Sequence, residues 1–308
     1  MITKKASSKS DKDKSKKHTA TNSRNGKGKS TAKTDKKVQT SVNRKDSKAK
    51  RVKAKSNKTK TSKGAPSDKT ASPDLLRVLA IDIGGTKVKM LVNGEMEPIK
   101  ALTGTEFTPL KLLEVVNTLP PHWKFDAVTI GYPGLVGANG PLAEPGNLGP
   151  GWVGFDFAGA FQKPVKILND AAMQAVGSYE GGRMLFLGLG TGLGTTMIVD
   201  HVILAVELSR LRWTSRKTMG ELLSKRSIKK LGIQKWRTAV GEIVHALMSA
   251  FVADYVVVGG GNAKLLNELP AGVRVGHNQT AFRGGYRVWG VDNTSSEDLE
   301  LHGSWKIL

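Results

Sequence analysis

Two strand–turn–strand hairpins, about a hundred positions apart, restrict this chain more than any other feature. Leu79-Ala80-Ile81-Asp82-Ile83-Gly84-Gly85-Thr86 runs an apolar strand into a glycine turn carrying Thr, and Lys87 to Val92 returns. Phe186-Leu187-Gly188-Leu189-Gly190-Thr191-Gly192-Leu193-Gly194-Thr195 repeats the pattern and continues to Val199. Glycine lets the backbone present N–H groups to an anion at close range, and Thr adds a hydroxyl donor. One such turn is weak, because hairpins use glycine anyway. A pair, one with Asp two residues ahead, predicts two similar lobes holding phosphate between them. No Gly-Lys-Ser/Thr opens a helix, so neither turn is a Walker A loop.

Around these hairpins the chain alternates strands and helices. Thr108-Pro109 opens a helix as N-cap and first residue, running to Leu119. Phe125 to Ile130 reads as a strand entering Gly131-Tyr132-Pro133-Gly134, and Val165 to Leu168 as a strand ending at Asn169-Asp170 before a helix from Ala171 to about Tyr179. Trp236 to Ala253 carries an apolar stripe at helical spacing and leads into Asp254 to Val258 and the turn Gly259-Gly260-Gly261. The expected class is α/β.

Charge is confined to one end. Lys and Arg number 48 against 26 Asp and Glu, a net +22. Residues 1–70 hold 24 basic and 5 acidic residues, leaving a nearly neutral body. Residues 1–73 contain no Phe, Trp or Tyr and few large aliphatics, too little apolar surface to offset the entropy of ordering. A disordered Lys/Ser/Thr-rich arm is expected there, able to bind polyanions such as polyphosphate or nucleic acid by counterion release, but not to stack on bases. The pI therefore does not imply a DNA-binding fold. The absence of cysteine excludes disulfides, thiolate zinc sites and a Cys nucleophile. The six histidines show no metal spacing. No apolar run reaches the ~18 residues of a membrane span and no apolar segment follows Met1, so no membrane partner and a cytoplasmic location are expected.

Taken in order, Asp82-Ile83-Gly84-Gly85-Thr86-Lys87-Val88-Lys89, Gly131-Tyr132-Pro133-Gly134, Asn147-Leu148-Gly149-Pro150-Gly151-Trp152, Asn169-Asp170-Ala171, Gly190-Thr191-Gly192 and Gly259-Gly260-Gly261 resemble the ROK family of sugar kinases. The resemblance covers nearly all of residues 75–290 and is nearest to the polyphosphate/ATP glucokinase branch, which lacks the family's zinc motif. It implies a two-lobe actin/hexokinase-like (ribonuclease H-like) fold, with a small lobe over 75–170, completed by the C-terminal segment 291–308, and a large lobe over 171–290. It implies phosphoryl transfer from ATP or polyphosphate, with Mg²⁺, to a hexose hydroxyl. It also implies Asp170 as base, Asn147, Asn169 and Glu207 as sugar ligands, and Asp82 as the Mg²⁺ residue. Gly84, Gly85, Thr86, Lys89, Gly190, Thr191 and Gly192 would hold phosphate, and Gly259 and Gly260 would border the nucleotide. The oligomeric state stays open, a homodimer being one expectation.

The residues leave alternatives beside these roles. Asp170 could serve only as a helix N-cap, Asn147 and Asn169 as turn formers, and Lys89 as solvated charge. Where the family has Glu-Leu-Gly-His, this chain reads Glu207-Leu208-Ser209-Arg210. Arg210 either turns outward with Arg212 or enters the cleft, where it would favour an acidic sugar as acceptor. A catalytically silent sensor or scaffold that binds nucleic acid through the arm is the reading from another functional class.

Overall fold

The computed structural model describes residues 76–277, 279–291 and 304–308. The expected arm lies outside the described residues. In chain order the elements are β1 (Val78–Ile83), β2 (Lys87–Val92), β3 (Ile99–Leu102), α1 (Pro109–Val116), β4 (Ala127–Tyr132), β5 (Val136–Gly137), β6 (Gly140–Pro141), α2 (Phe157–Phe161), β7 (Val165–Asn169) and α3 (Asp170–Ser178). There follow β8 (Arg183–Leu189), β9 (Leu193–Val199), β10 (Val202–Ala205), a 3₁₀ turn at Leu208–Arg210, β11 (Arg212–Thr214), β12 (Lys217–Thr218), α4 (Met219–Leu223), α5 (Lys225–Leu231) and α6 (Ile233–Ala250). After β13 (Tyr255–Gly259) come a 3₁₀ turn at Ala263–Leu265, β14 (Val273–Val275), α7 (Thr280–Arg287) and β15 (Lys306–Ile307).

The two hairpins seed two sheets of the same strand order. The first runs β3-β2-β1-β4-β7 and the second β10-β9-β8-β13-β14, with β15 added at the β10 edge. In each, the strand before the glycine turn lies in the middle, with an antiparallel hairpin partner on one side and parallel strands on the other. Central placement matches the sequence: all six residues of β1 and all six of β4 are buried, whereas β2 buries alternate residues. Thr108 caps α1 and Pro109 opens it, and α6 buries one stripe that includes Trp236, Val240, Ile243 and Leu247.

The lobes are joined by α3, which follows β7, and by α7, which follows β14. These helices cross in direct backbone contact. A Cβ on Gly177 would lie 1.8 Å from Thr280 O, and one on Gly284 1.8 Å from Met173 O, so the crossing accepts no side chain at either position. The guanidinium of buried Arg287 donates to Val176 O (3.1 Å) and Tyr179 O (2.8 Å) at the C-terminal end of α3, where free carbonyls favour a cation. On its other side α7 lies on the first sheet. Thr129 Oγ1 donates to Gly285 O (2.7 Å) and Tyr286 Oη to Leu91 O (3.1 Å). The C-terminal residues divide between the lobes: Val291 packs with Val78, Ala80 and Ala127, while β15 pairs with β10.

Candidate active site

Asp170 stands where β7 passes into α3. The N-cap there is its neighbour: Asn169 Oδ1 accepts from Ala171 N (2.9 Å) and Ala172 N (3.3 Å), and Asn169 Nδ2 donates to Gly134 O (2.9 Å). With the capping done by Asn169, the Asp170 carboxyl is left for the cleft, where its Oδ1 accepts from Ala171 N (2.8 Å). Burial, then the nearby negative charge of Asp82, then that of Glu207 raise its pKa to about 7, against the opposing pull of the Ala171 and Asp170 N–H groups. Three carboxylates from both lobes thus share one electrostatic neighbourhood.

Asp82 sits directly across the hairpin from Lys89, and Lys89 Nζ donates to Asp82 Oδ2 at 2.9 Å. Lys89 is therefore committed to this pair. The turn between them is tied down by Thr103, whose Oγ1 donates to Gly84 O (2.7 Å) and whose N–H donates to Thr86 O (3.1 Å). Gly85 and Thr86 are left exposed.

Asn147 lies against this turn: a Cβ on Gly85 would meet its Nδ2 at 2.0 Å. Its loop is held from below. Trp152 is fully buried among Phe107, Tyr132 and Phe157, and its indole N–H donates to Gly149 O (2.8 Å). Glu144 accepts from Trp152 N and Val153 N, both at 3.1 Å. Desolvation would raise the Glu144 pKa, but the N–H groups of Val153, Trp152 and Gly151 outweigh it and hold the carboxyl below its usual range. Asn147 itself is exposed and makes no hydrogen bond among the described residues, so its amide can face a ligand.

The second turn is fixed at Gly190, whose carbonyl accepts from Asn262 Nδ2 (2.9 Å) and Lys225 N (3.1 Å). Thr191 and Gly192 stay exposed. Behind the turn, Gly259 and Gly260 pack against Phe186 and the Leu189 carbonyl, so both border it closely. Glu207 is placed by Thr195, whose Oγ1 donates to Val206 O and accepts from Leu208 N. Arg210 is exposed and lines a shallow depression with Gly192, Ser209 and Thr218. Arg210 thus stands beside the second glycine turn.

Residue patterns did not single out Thr103, Glu144, Asn262 or Lys225 for the site, nor Thr195 beyond its place in the hairpin. Each acts through a hydrogen bond to a residue distant in sequence or by its place beside a turn, and only a polar residue near a glycine motif hints at that.

Among the described residues no group of three or more His, Asp or Glu is arranged to hold a metal ion. Mg²⁺, implied by the resemblance, typically keeps several waters and takes one or two carboxylates plus donor phosphates. Asp82 meets that need as a single buried carboxylate, and because Lys89 occupies one oxygen, contact through water fits it best. No described helix is long and apolar enough to cross a membrane.

The sequence model of the ROK family matches residues 78–205. No curated protein matches the chain. Among solved structures, the inorganic polyphosphate/ATP-glucomannokinase from Arthrobacter sp. strain KM aligns at 21% identity and a TM-score of 0.57, covering 68% of this chain and 96% of that one. The ROK family glucokinase from Streptomyces griseus, in complex with glucose and AMPPNP, aligns at 16% identity and 0.53, covering 68% and 97%. A ROK family transcriptional regulator, homolog of the E. coli MLC protein, aligns at 13% identity and 0.53, covering 68% and 76%. The two lobes therefore have the ROK-type fold. That fold carries kinases and a regulator alike, so activity has to be argued from the site.

Proposed function

We propose that the chain is a sugar kinase that transfers the terminal phosphoryl group of ATP or polyphosphate to a hexose hydroxyl. The observation that carries this reading is the state of Asp170: freed from capping by Asn169 and raised to about 7 by burial and by Asp82 and Glu207. A base with a pKa near the working pH combines a usable ionised fraction with real proton affinity.

The acceptor hydroxyl attacks the terminal phosphorus while Asp170 takes its proton, and the phosphoanhydride bond to the donor breaks, leaving ADP or a shortened polyphosphate. Asn147 and the remaining N–H of Asn169, with Glu207, orient the sugar. The exposed residues Gly85 and Thr86 of the first turn, and Thr191 and Gly192 of the second, donate N–H groups to the donor, the N–H groups of Gly84 and Gly190 being spent on Lys87 O and Gly192 O. Mg²⁺, when bound, would neutralise charge on the phosphates, and Asp82 would hold it. Lys89 steadies Asp82, and Gly259 and Gly260 border the donor's far end. Arg210, beside Gly192, supports a donor-side role over selection of an acidic acceptor.

The test is Asp170→Asn in an assay crossing several sugars with ATP and polyphosphate. Turnover should fall by at least ~10² with sugar affinity within a few-fold, because the amide keeps size and loses basicity. In the unsubstituted protein kcat should rise with pH and reach half its maximum near 7, as Asp170 loses its proton. Unchanged turnover in the variant removes Asp170 from the chemistry, and absence of transfer to any sugar supports the sensor reading.

A further inference from the structure

A cavity of about 560 Å³ opens between the lobes, along the free edge of β7. It reaches the active site at Asn169, the residue before Asp170, and at Ala205, two before Glu207. Its walls are mainly apolar: Val136, Phe155 and Ile167 from the first lobe face Ile203, Trp305 and Ile307 from the second. Trp305 is held edge-on by Tyr179 and His201, with ring centroids 5.5 and 4.9 Å away.

The polar side chains on the wall are largely spent on the protein. Lys166 Nζ donates to Val288 O (2.5 Å) and lies 4.4 Å from the centre of the Trp289 ring. Asp156 caps α2 through Gly159 N (2.9 Å), and Asn169 caps α3. Asn139, at the exposed tip between β5 and β6, makes no hydrogen bond among the described residues. A pyranose ring needs hydrogen-bond partners around its rim, and this cavity offers few. The carboxylates and the free Asn147 lie at the neighbouring corner instead. A mostly apolar cavity of this size, with few convergent polar groups, has the character of a small-molecule subsite.

We propose that this cavity holds an apolar substituent on the acceptor, so that the preferred substrate is a hexose carrying an apolar group, such as a glycoside, over the free sugar. The proposal rests on the kinase reading for the identity of the acceptor, and the transfer step at Asp170 is unchanged by it. The apolar wall is assembled from both lobes, so a substituent bound there also bridges them.

Calorimetry with n-alkyl glucosides of both anomers, from methyl to hexyl, tests the proposal. Affinity should rise by about four-fold per methylene buried, for at least one anomer. Val136→Asp and Ile307→Asp, at half-buried and exposed positions, should flatten that rise while leaving turnover on free glucose unchanged. A flat series in the unsubstituted protein overturns the proposal, as does an equal rise in both variants. If glucose is phosphorylated and the series is flat, only this inference fails. If affinity climbs with chain length but no sugar is phosphorylated, the cavity assignment stands and the kinase reading falls.

Discussion

The two glycine turns share a backbone plan and differ in company. The first, Gly84–Thr86, is anchored by Thr103 and surrounded by Asp82, Lys89 and the amide of Asn147, with the Asp82 charge already balanced by Lys89. The second, Gly190–Gly192, is anchored by Asn262 and the Lys225 backbone, and flanked by Arg210 and Lys225, exposed cations that make no ion pair among the described residues. Further cations follow on α5 at Arg226, Lys229 and Lys230, while Glu221, the acidic residue nearby, is used in a capping box with Thr218. A duplicated hairpin has become asymmetric through its neighbours. The turns offer similar backbone donors, and under the proposed kinase reading the surrounding side chains would decide which meets the acceptor side and which receives the bulk of the donor's charge.

The largest effect that would break this division is at the acceptor corner. Asp170→Asn should abolish the pH dependence of kcat as well as lower it, and it should also raise stability. The sign follows from the shift: the Asp170 pKa stands above that of the unfolded chain, so the folded state loses stability as pH rises from about 4 to about 7 and stays lower above that. Thermal melts should show the variant gaining on the parent by roughly 1–4 kcal/mol at pH 8 and matching it near pH 3. Equal gains at both pH values would mean the carboxyl is not held protonated.

Next comes a substitution placed on each turn. Gly85→Ala must push the Asn147 amide aside, and it should raise acceptor KM by ~10-fold, the equivalent of one charge-free hydrogen bond or two. Gly190→Ala has open space around its Cβ and should leave acceptor KM unchanged. Similar acceptor defects in both would erase the distinction between the turns. Replacing Arg210 and Lys225 together by Ala should weaken donor binding by a few-fold, more at low salt than at high, and leave acceptor KM alone. A change confined to the acceptor would move Arg210 back to the sugar side. The smallest effects belong to the anchors: Thr103→Ala and Asn262→Ala each lose one hydrogen bond, about 1 kcal/mol in chemical denaturation, and each should raise KM only for the ligand of its own turn.

Contiguous features were legible in the sequence. The hairpins, the Thr108-Pro109 helix start and the Asn169-Asp170 corner are local patterns, and the structure has them where the residues indicate. The long helix begins at Ile233, three residues ahead of the expected Trp236, because Gly232 ends α5 and nothing after it interrupts the turn. It stops at Ala250, since Val252 takes a left-handed conformation (φ 50°). What could not be read from the sequence depends on partners far away in the chain. Which of Asn169 and Asp170 caps α3 follows from the Gly134 carbonyl that fixes the Asn169 amide. The Lys89–Asp82 pair needs the hairpin register, and the Thr195 brace under Glu207 needs β9 and the 3₁₀ turn side by side. The cavity combines β7 with β15, nearly 140 positions later, and no local pattern signals that.

The packing of α7 on the first sheet bears on the order in which a ribosome can complete this molecule. β1 and β4 emerge early, but the helix that covers Val78, Ala80 and Ala127 spans Thr280–Arg287. At ~5–20 residues per second, the first lobe waits roughly eight to thirty seconds after β4 is made before its cover arrives. During that interval an apolar sheet face stands open to other nascent chains and to chaperones. Ribosome-bound chains stalled before residue 280 should accordingly be cut by protease within β1 and β4, and chains released at full length should resist. The lobe that is synthesised first is then covered only when the chain is nearly complete.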